Sequence, residues 1–319
     1  TVLSALRAFV RSVRDGLPHS TVNDLLESRS GAYWVATFAG VSRFMPGRET
    51  RKSGASFFTN YSVDGKRAIS LYEDSVGNLW VGTTNGLYRR AANRNDVVFE
   101  RVALNIPGHP DNTVEVSRVR GDAANNLWVA SDYGLTRLLP DGRRKHYSIK
   151  PSENMDMIWT VLCDTQGRVW IAHYSGFLIF KPEPAALTNE RPGSLAPVST
   201  ASNIANGRLL LPDKPGEVRW YTVADGLADA NIRALCQTAS GNIWLGSRGG
   251  PLSRFDGAGF QSYREGLTRR VTALAEDEAG NIWVGARSGG VIRVARRGLV
   301  TYRQEDGLAN NDVLAVRAD

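Results

Sequence analysis

Val271-Thr-Ala-Leu-Ala-Glu-Asp-Glu-Ala-Gly-Asn-Ile-Trp-Val-Gly-Ala-Arg-Ser-Gly-Gly290 decides how this chain folds. Its first six residues form a short β run, Asp277 to Asn281 read as a tight turn, and Ile282-Trp283-Val284-Gly285 begins the partner strand of a hairpin. An Asp that opens such a turn accepts from its own following backbone, and the Gly or Asn near its end tolerates positive φ. Side chains alternate along a strand, so Trp283 and Gly285 share one face while Val284 takes the other.

The pattern occurs six times, at Trp34, Trp80, Trp128, Trp170, Trp244 and Trp283. The turn recurs at Asp74 to Asn78, Asp122 to Asn126 and Asp164 to Arg168. Two residues after each Trp stands a small residue: Ala36, Gly82, Ala130, Ala172, Gly246 or Gly285. Six residues after it stands Gly40, Gly86, Gly134, Gly176, Gly250 or Gly289. The opposite face carries Val35, Val81, Val129, Ile171, Leu245 and Val284, so both faces are apolar and both need cover. Repeats of about 40 to 48 residues without a helical period imply an all-β fold, a β-propeller of four-stranded blades; linear solenoids, the rival, have shorter repeats.

Outer strands are legible at Phe57 to Tyr61, Trp220-Tyr221, Phe260 to Tyr263 and Val300 to Tyr302. Phe9 to Leu17 copies the outer strand and Asp-Gly-Leu of a preceding unit, and Val313 to Asp319 copies the innermost strand of a following one. The reading is therefore six complete repeats plus a split seventh, residues 1–319 being one propeller domain or a fragment of one. The long interval from Trp170 to Trp244 marks an insertion at about 182–217 in the fourth blade. The chain starts with Thr and reads as a processed or excised piece. Val313 to Asp319 has no hairpin partner in the sequence, so open strand edges point to self-association or to pairing with the N-terminal segment.

With 42% hydrophobic and 22% charged residues the composition is that of an ordinary globular protein, and no apolar stretch reaches the length of a membrane-spanning helix. Two Cys exclude a disulfide scaffold and a cysteine-rich metal module. Cys163 aligns with Glu73 and Cys236 with Tyr72, one register apart, so both are expected as free, buried thiols. The net charge of +7 is scattered. Its densest run, Arg143, Arg144 and Lys145, follows a Pro-Asp-Gly turn and reads as a solvated turn, not a nucleic-acid patch.

Val271 to Gly290 and Ile69-Ser-Leu-Tyr-Glu-Asp-Ser-Val-Gly-Asn-Leu-Trp-Val-Gly-Thr-Thr-Asn-Gly-Leu-Tyr88 resemble two-component regulator propeller repeats. The likeness covers nearly the whole chain outside residues 182–217. It implies the periplasmic or extracytoplasmic sensor part of a bacterial inner-membrane signalling protein whose output, a histidine kinase, hybrid kinase or diguanylate cyclase, lies in another domain. It implies no catalysis for this region.

Function then rests on loops, which vary without disturbing the fold. The loops joining second to third strands share a face with those entering the innermost strands. The column four after Trp reads Phe38, Thr84, Asp132, Tyr174, Arg248 and Arg287, and the entry loops add His19, Arg67, Asn154, Arg269 and Arg270. His173 stands out in a column that otherwise holds Thr, Ser or Ala, as a packing exception or a group at the channel mouth. Tyr133, His173, Tyr174, Arg248, Arg270 and Arg287 form the candidate binding set for a small-molecule or saccharide ligand of anionic character. No metal or cofactor is expected, since the four His show no metal-ligand spacing and one carboxylate per hairpin falls short of a calcium site. Two alternatives remain: an enzyme resembling the streptogramin lyases, propellers that use His and acidic residues around a metal, and a protein-interaction scaffold.

Overall fold

The computed structural model describes residues 16–45, 57–92, 97–109, 113–149, 156–174, 176–188, 191–196, 203–205, 208–264, 269–295, 298–308 and 310–316. Six antiparallel sheets follow one another along the chain. The first comprises Val22–Glu27, Tyr33–Thr37, Gly40–Phe44 and Phe58–Tyr61; the second Ala68–Glu73, Leu79–Thr83, Gly86–Arg90 and Glu100–Val102. The third comprises Val116–Gly121, Leu127–Ser131, Gly134–Leu138 and Arg144–Ser148; the fourth Ile158–Cys163, Val169–His173, Gly176–Phe180 and Val218–Tyr221. Ile232–Gln237, Ile243–Ser247, Leu252–Phe255 and Phe260–Tyr263 form the fifth, and Val271–Glu276, Ile282–Ala286, Gly290–Ala295 and Gly298–Tyr302 the sixth. Consecutive innermost strands pack side by side from the first blade to the sixth, which gives the β-propeller. No α-helix occurs among the described residues.

Each motif Trp sits between its own blade and the next. Trp34 packs with Ala68, Leu71 and Val81, and Trp80 with Val116, Val119 and Val129. All six are buried, from Trp128 and Trp170 at 0% exposed to Trp80, Trp244 and Trp283 at 7%. The small residue two positions on receives the first residue of the next innermost strand. A Cβ built on Gly82 would lie 2.7 Å from Val116 Cγ1. Large beside small on one face thus lets the blades nest, and the dispersion gained over many such contacts holds the ring.

On the face carrying the turns between first and second strands, the Asp does more than bond its own backbone. Trp80, Trp128, Trp170 and Trp283 donate from Nε1 to Asp74, Asp122, Asp164 and Asp277 at 2.8–2.9 Å. The first and fifth blades have Ser28 and Thr238 at this position. Neighbouring blades are also tied through these turns, since Glu73 accepts from Arg29 N and Glu276 from Ala239 N.

The glycine six after Trp opens the third strand in the first four blades. Gly40 (φ 109°) lies so close to Tyr61 O that a Cβ would stand 2.5 Å from it. In the sixth blade this role passes from Gly289 to Gly290 (φ 77°), because the turn there is one residue longer and Ala286 pairs with Gly290.

The segment that enlarges the fourth blade leaves it after Phe180 and returns at Val218. Gly193–Ser194 adds a parallel fifth strand to Tyr147–Ser148 of the third blade, and Leu195 is buried in the core there. This changes the reading of the basic run at one residue. The turn from Pro140 to Gly142 is exposed, as expected, and Arg143, which donates to Thr188 O, and Arg144 are half-buried; only Lys145 departs from the expectation, being buried and paired with Glu183 at 3.3 Å. Both cysteines are free and half-buried; their partners across the strands, Val169 and Trp244, confirm the one-residue offset.

Both chain ends take the places that a seventh blade would give them. Val313 packs against Gly285 and its carbonyl accepts from Thr272 Oγ1, just as Ile158 O accepts from Ser117 and Ala68 O from Asn23. Leu17 is buried among Val35, Phe44 and Phe58 of the first blade, and Gly16 O accepts from Asn60 Nδ2, as Gly226 O accepts from Ser262. The remainder of the N-terminal copy, Phe9 to Asp15, and residues 317–319 lie outside the described residues.

Candidate functional site

The second residue of every innermost strand is bulged: register slips between Ile158 and Thr160, between Ile232 and Ala234, and at the same place in the other four blades. A bulge re-aims its side chain. The bulged residues are Asn23, Ile69, Ser117, Trp159, Arg233 and Thr272. Three of them staple blades together as described above, whereas Trp159 and Arg233 meet each other. Arg233 Cζ lies 3.6 Å from the Trp159 ring centroid, a close cation–π stack across the fourth and fifth blades.

Arg248 and Arg270 of the candidate set gather round that stack. Burial pulls the Arg233 guanidinium down to about 10, and the positive charges of Arg270 and Arg248 add to the effect, with Asp229 opposing. Asp229 is occupied by the backbone N–H groups of Asn231 and Gly249, and Arg233 Nε donates to Asn231 Oδ1 at 3.1 Å. Among the described residues no carboxylate lies within ion-pair distance of Arg233, Arg248 or Arg270. Trp159 Nε1 is buried and has no acceptor among the described residues. Arg233 on the Trp159 ring, with the charges of Arg248 and Arg270 near enough to act on it and no carboxylate paired to any of the three among the described residues, makes this part of the mouth positive, an arrangement that suits an anion.

The other candidates divide. Tyr174 is 36% exposed on the rim, its ring 4.3 Å from that of His173. His173 itself is fully buried, with Nε2 3.0 Å from Asp156 Oδ1, so it supports the wall from behind and does not reach the mouth. Asp156 also accepts from Ile149 N and Ser148; burial pushes its carboxyl up, but these hydrogen bonds prevail and hold it below the usual range. Tyr133 meets the His109 ring at a tilt of 39°, with centroids 3.6 Å apart. Arg287 is exposed and turns to Asp312, 3.8 Å away, leaving the other arginines. Across the mouth, Phe38 is sandwiched between His19 and Arg67, which stands 4.8 Å above the ring. Asn154 lies outside the described residues.

Trp159 and Arg233 were absent from the candidate set. The bulge column, in which only the fourth and fifth repeats carry such large side chains, is the signal that marks them.

Segments 62–85, 226–249 and 266–288 match the family model described as two component regulator propeller. No curated protein matches the chain. Among solved structures, the extracellular domain of a hybrid two component system of B. thetaiotaomicron is 18% identical with a TM-score of 0.70, over 94% of this chain and 36% of that one. This chain thus spans about a third of that domain. The virginiamycin B lyase of Staphylococcus aureus is 12% identical with a TM-score of 0.65, over 93% and 88% of the two chains. PorZ, a surface component of the type-IX secretion system of Porphyromonas gingivalis, is 17% identical with a TM-score of 0.63, over 97% and 45%. At these identities the likeness is one of fold.

Proposed function

Because the chain carries repeats of the two component regulator propeller family, we propose that it is the sensor propeller of a bacterial membrane-anchored signalling protein and that its loop-bearing mouth binds an anionic saccharide. The observation that carries the ligand reading is the Arg233–Trp159 stack with the positive charges of Arg248 and Arg270 beside Arg233. Guanidinium groups pair with carboxylate or sulfate through two parallel bonds, and an aromatic face receives a sugar ring. Tyr174 adds an exposed ring on the same blade as Trp159.

In this reading the region acts extracytoplasmically and without catalysis, and a kinase or cyclase elsewhere in the protein supplies the output. No helix among the described residues is long and apolar enough to cross a membrane. Self-association through the edge left at the seventh blade is part of the same proposal, because a receptor that signals through its output domain responds to a change in association.

Calorimetric titration of uronate-containing or sulfated oligosaccharides, beside neutral ones of equal length, tests the proposal. Acidic oligosaccharides are expected to bind, and to bind more weakly as salt rises, since partly exposed charges are screened. Equal affinity for neutral sugars, or no binding of any acidic one, overturns it.

A further inference from the structure

The first blade lacks a group that four other blades possess. Its turn has the same backbone: Ser28 N bonds Ala32 O and Gly31 N bonds Ser28 O, as Asp74 N bonds Asn78 O and Gly77 N bonds Asp74 O. In the second, third and sixth blades the turn holds an Asp and an Asn side chain, the carboxylate taking the Trp N–H and the amide together. In the first blade these positions are Ser28 and Ala32, both smaller. Among the described residues, Trp34 Nε1 consequently makes no hydrogen bond.

The space those side chains would take is open. A cavity of about 450 Å³ lies there between the first and second blades, lined by Ser28, Trp34, Arg29, Arg43, Arg90 and Glu73 among others. Arg43 and Arg90 both stand over the Trp34 ring, at 5.5 and 5.8 Å. Among the described residues Arg29 and Arg43 face Glu73, which already accepts from Ser28 Oγ and Arg29 N. The fifth blade, with Thr238, keeps its turn Asn242, and Arg254 turns away to Gln261 and Asp256.

We propose that this cavity, on the face opposite the mouth, binds the carboxylate of a small organic acid in the place that the turn Asp occupies in the other blades. The bound carboxylate accepts from Trp34 Nε1 with Arg43 beside it, and the cavity has room for an acid as large as a single uronate sugar. The site is independent of the mouth and does not rest on the reading given above.

The test follows the Trp34 indole ¹H–¹⁵N resonance, assigned with Trp34→Phe, while sodium acetate or sodium glucuronate is added. Sodium chloride at matched ionic strength and glucose serve as references. Both carboxylates are expected to give a saturable shift that chloride and glucose do not, and tighter binding of glucuronate than of acetate identifies a sugar acid as the better occupant. Ser28→Asp supplies the carboxylate from within the turn and should move the Trp34 resonance toward the bonded position while abolishing the response. Arg43→Gln should weaken binding roughly tenfold. An identical response to chloride, or a Ser28→Asp protein that titrates like the wild type, overturns the proposal.

Discussion

The two faces of the ring are built by opposite rules. On the turn face one chemical unit, an Asp carboxylate holding its own turn and a Trp N–H six residues on, recurs in four of the six blades. At the mouth no two blades agree: Phe38 meets His19 and Arg67, Tyr133 meets His109 at a tilt, and Arg233 lies on Trp159 at the bulges of the fourth and fifth blades. Packing between blades asks the same thing of every repeat, so the turn face is uniform; the mouth carries no such demand and differs from blade to blade. In those four blades the Trp donor of the turn face is paired, whereas at the mouth Arg233, Arg248 and Arg270 have no carboxylate within ion-pair distance among the described residues.

The largest effect that would break this contrast concerns the packing unit. Trp128→Ala or Trp170→Ala should cost about 3 to 5 kcal/mol in denaturant unfolding, because each ring is fully buried. A loss below about 1 kcal/mol, the range of surface substitutions, would show that the blades do not depend on these columns.

The faces should also respond to pH in different windows. His146, behind the mouth of the third blade, is buried and bonded to Thr136, and burial pulls it down to about 4. Its unfolded form takes up a proton below about pH 6.5, so stability is lost as pH falls from there towards 4, by about 2 to 3 kcal/mol. On the turn face, hydrogen bonds from Asn281 and Trp283 outweigh burial and hold Asp277 below the usual carboxylate range. Its contribution is present above the ordinary carboxylate value and fades only as pH falls through the depressed one. Unfolding of His146→Gln at pH 7 and pH 4.5 checks this, the variant losing less than the wild type between them.

A smaller effect separates the Asp turns from their Ser28 and Thr238 counterparts. Asp122→Ala strips acceptors from Trp128 Nε1, Asn126 and the turn backbone, at an expected cost of about 1 to 3 kcal/mol by calorimetry. The same change at Ser28 should cost clearly less, as its hydroxyl holds neither Trp34 nor an Asn amide.

Smallest in stability and largest in function is the mouth. Arg248→Ala combined with Arg270→Ala should lower affinity for an acidic oligosaccharide by at least about tenfold, or 1.4 kcal/mol, while the unfolding midpoint stays near that of the wild type. Equal loss of midpoint and affinity would assign these side chains to the scaffold.

How much of this was legible in the sequence follows from the same contrast. The six-fold recurrence of Trp with its small and apolar companions gave the propeller, the blade count and the half-strand at Val313, because packing repeats and repetition is visible in one dimension. The longer turn that moves the glycine role to Gly290 was hidden, since two adjacent glycines look alike in sequence. So was the cover that Glu183 and Gly193 lay over Lys145, a contact between distant segments. In the candidate site, Arg248 and Arg270 were readable as variable positions. The departure of Arg287 to Asp312 and the burial of His173 depend on side-chain direction, and Trp159 and Arg233 depend on a bulge.

The eight Trp indole resonances test the central claim in one titration with an acidic oligosaccharide. Trp159, at the mouth, should shift with saturation, while Trp80, Trp128, Trp170 and Trp283, held by their turn carboxylates on the other face, stay in place. Movement of those four together with a silent Trp159 would contradict the division of the ring into a packing face and a binding mouth.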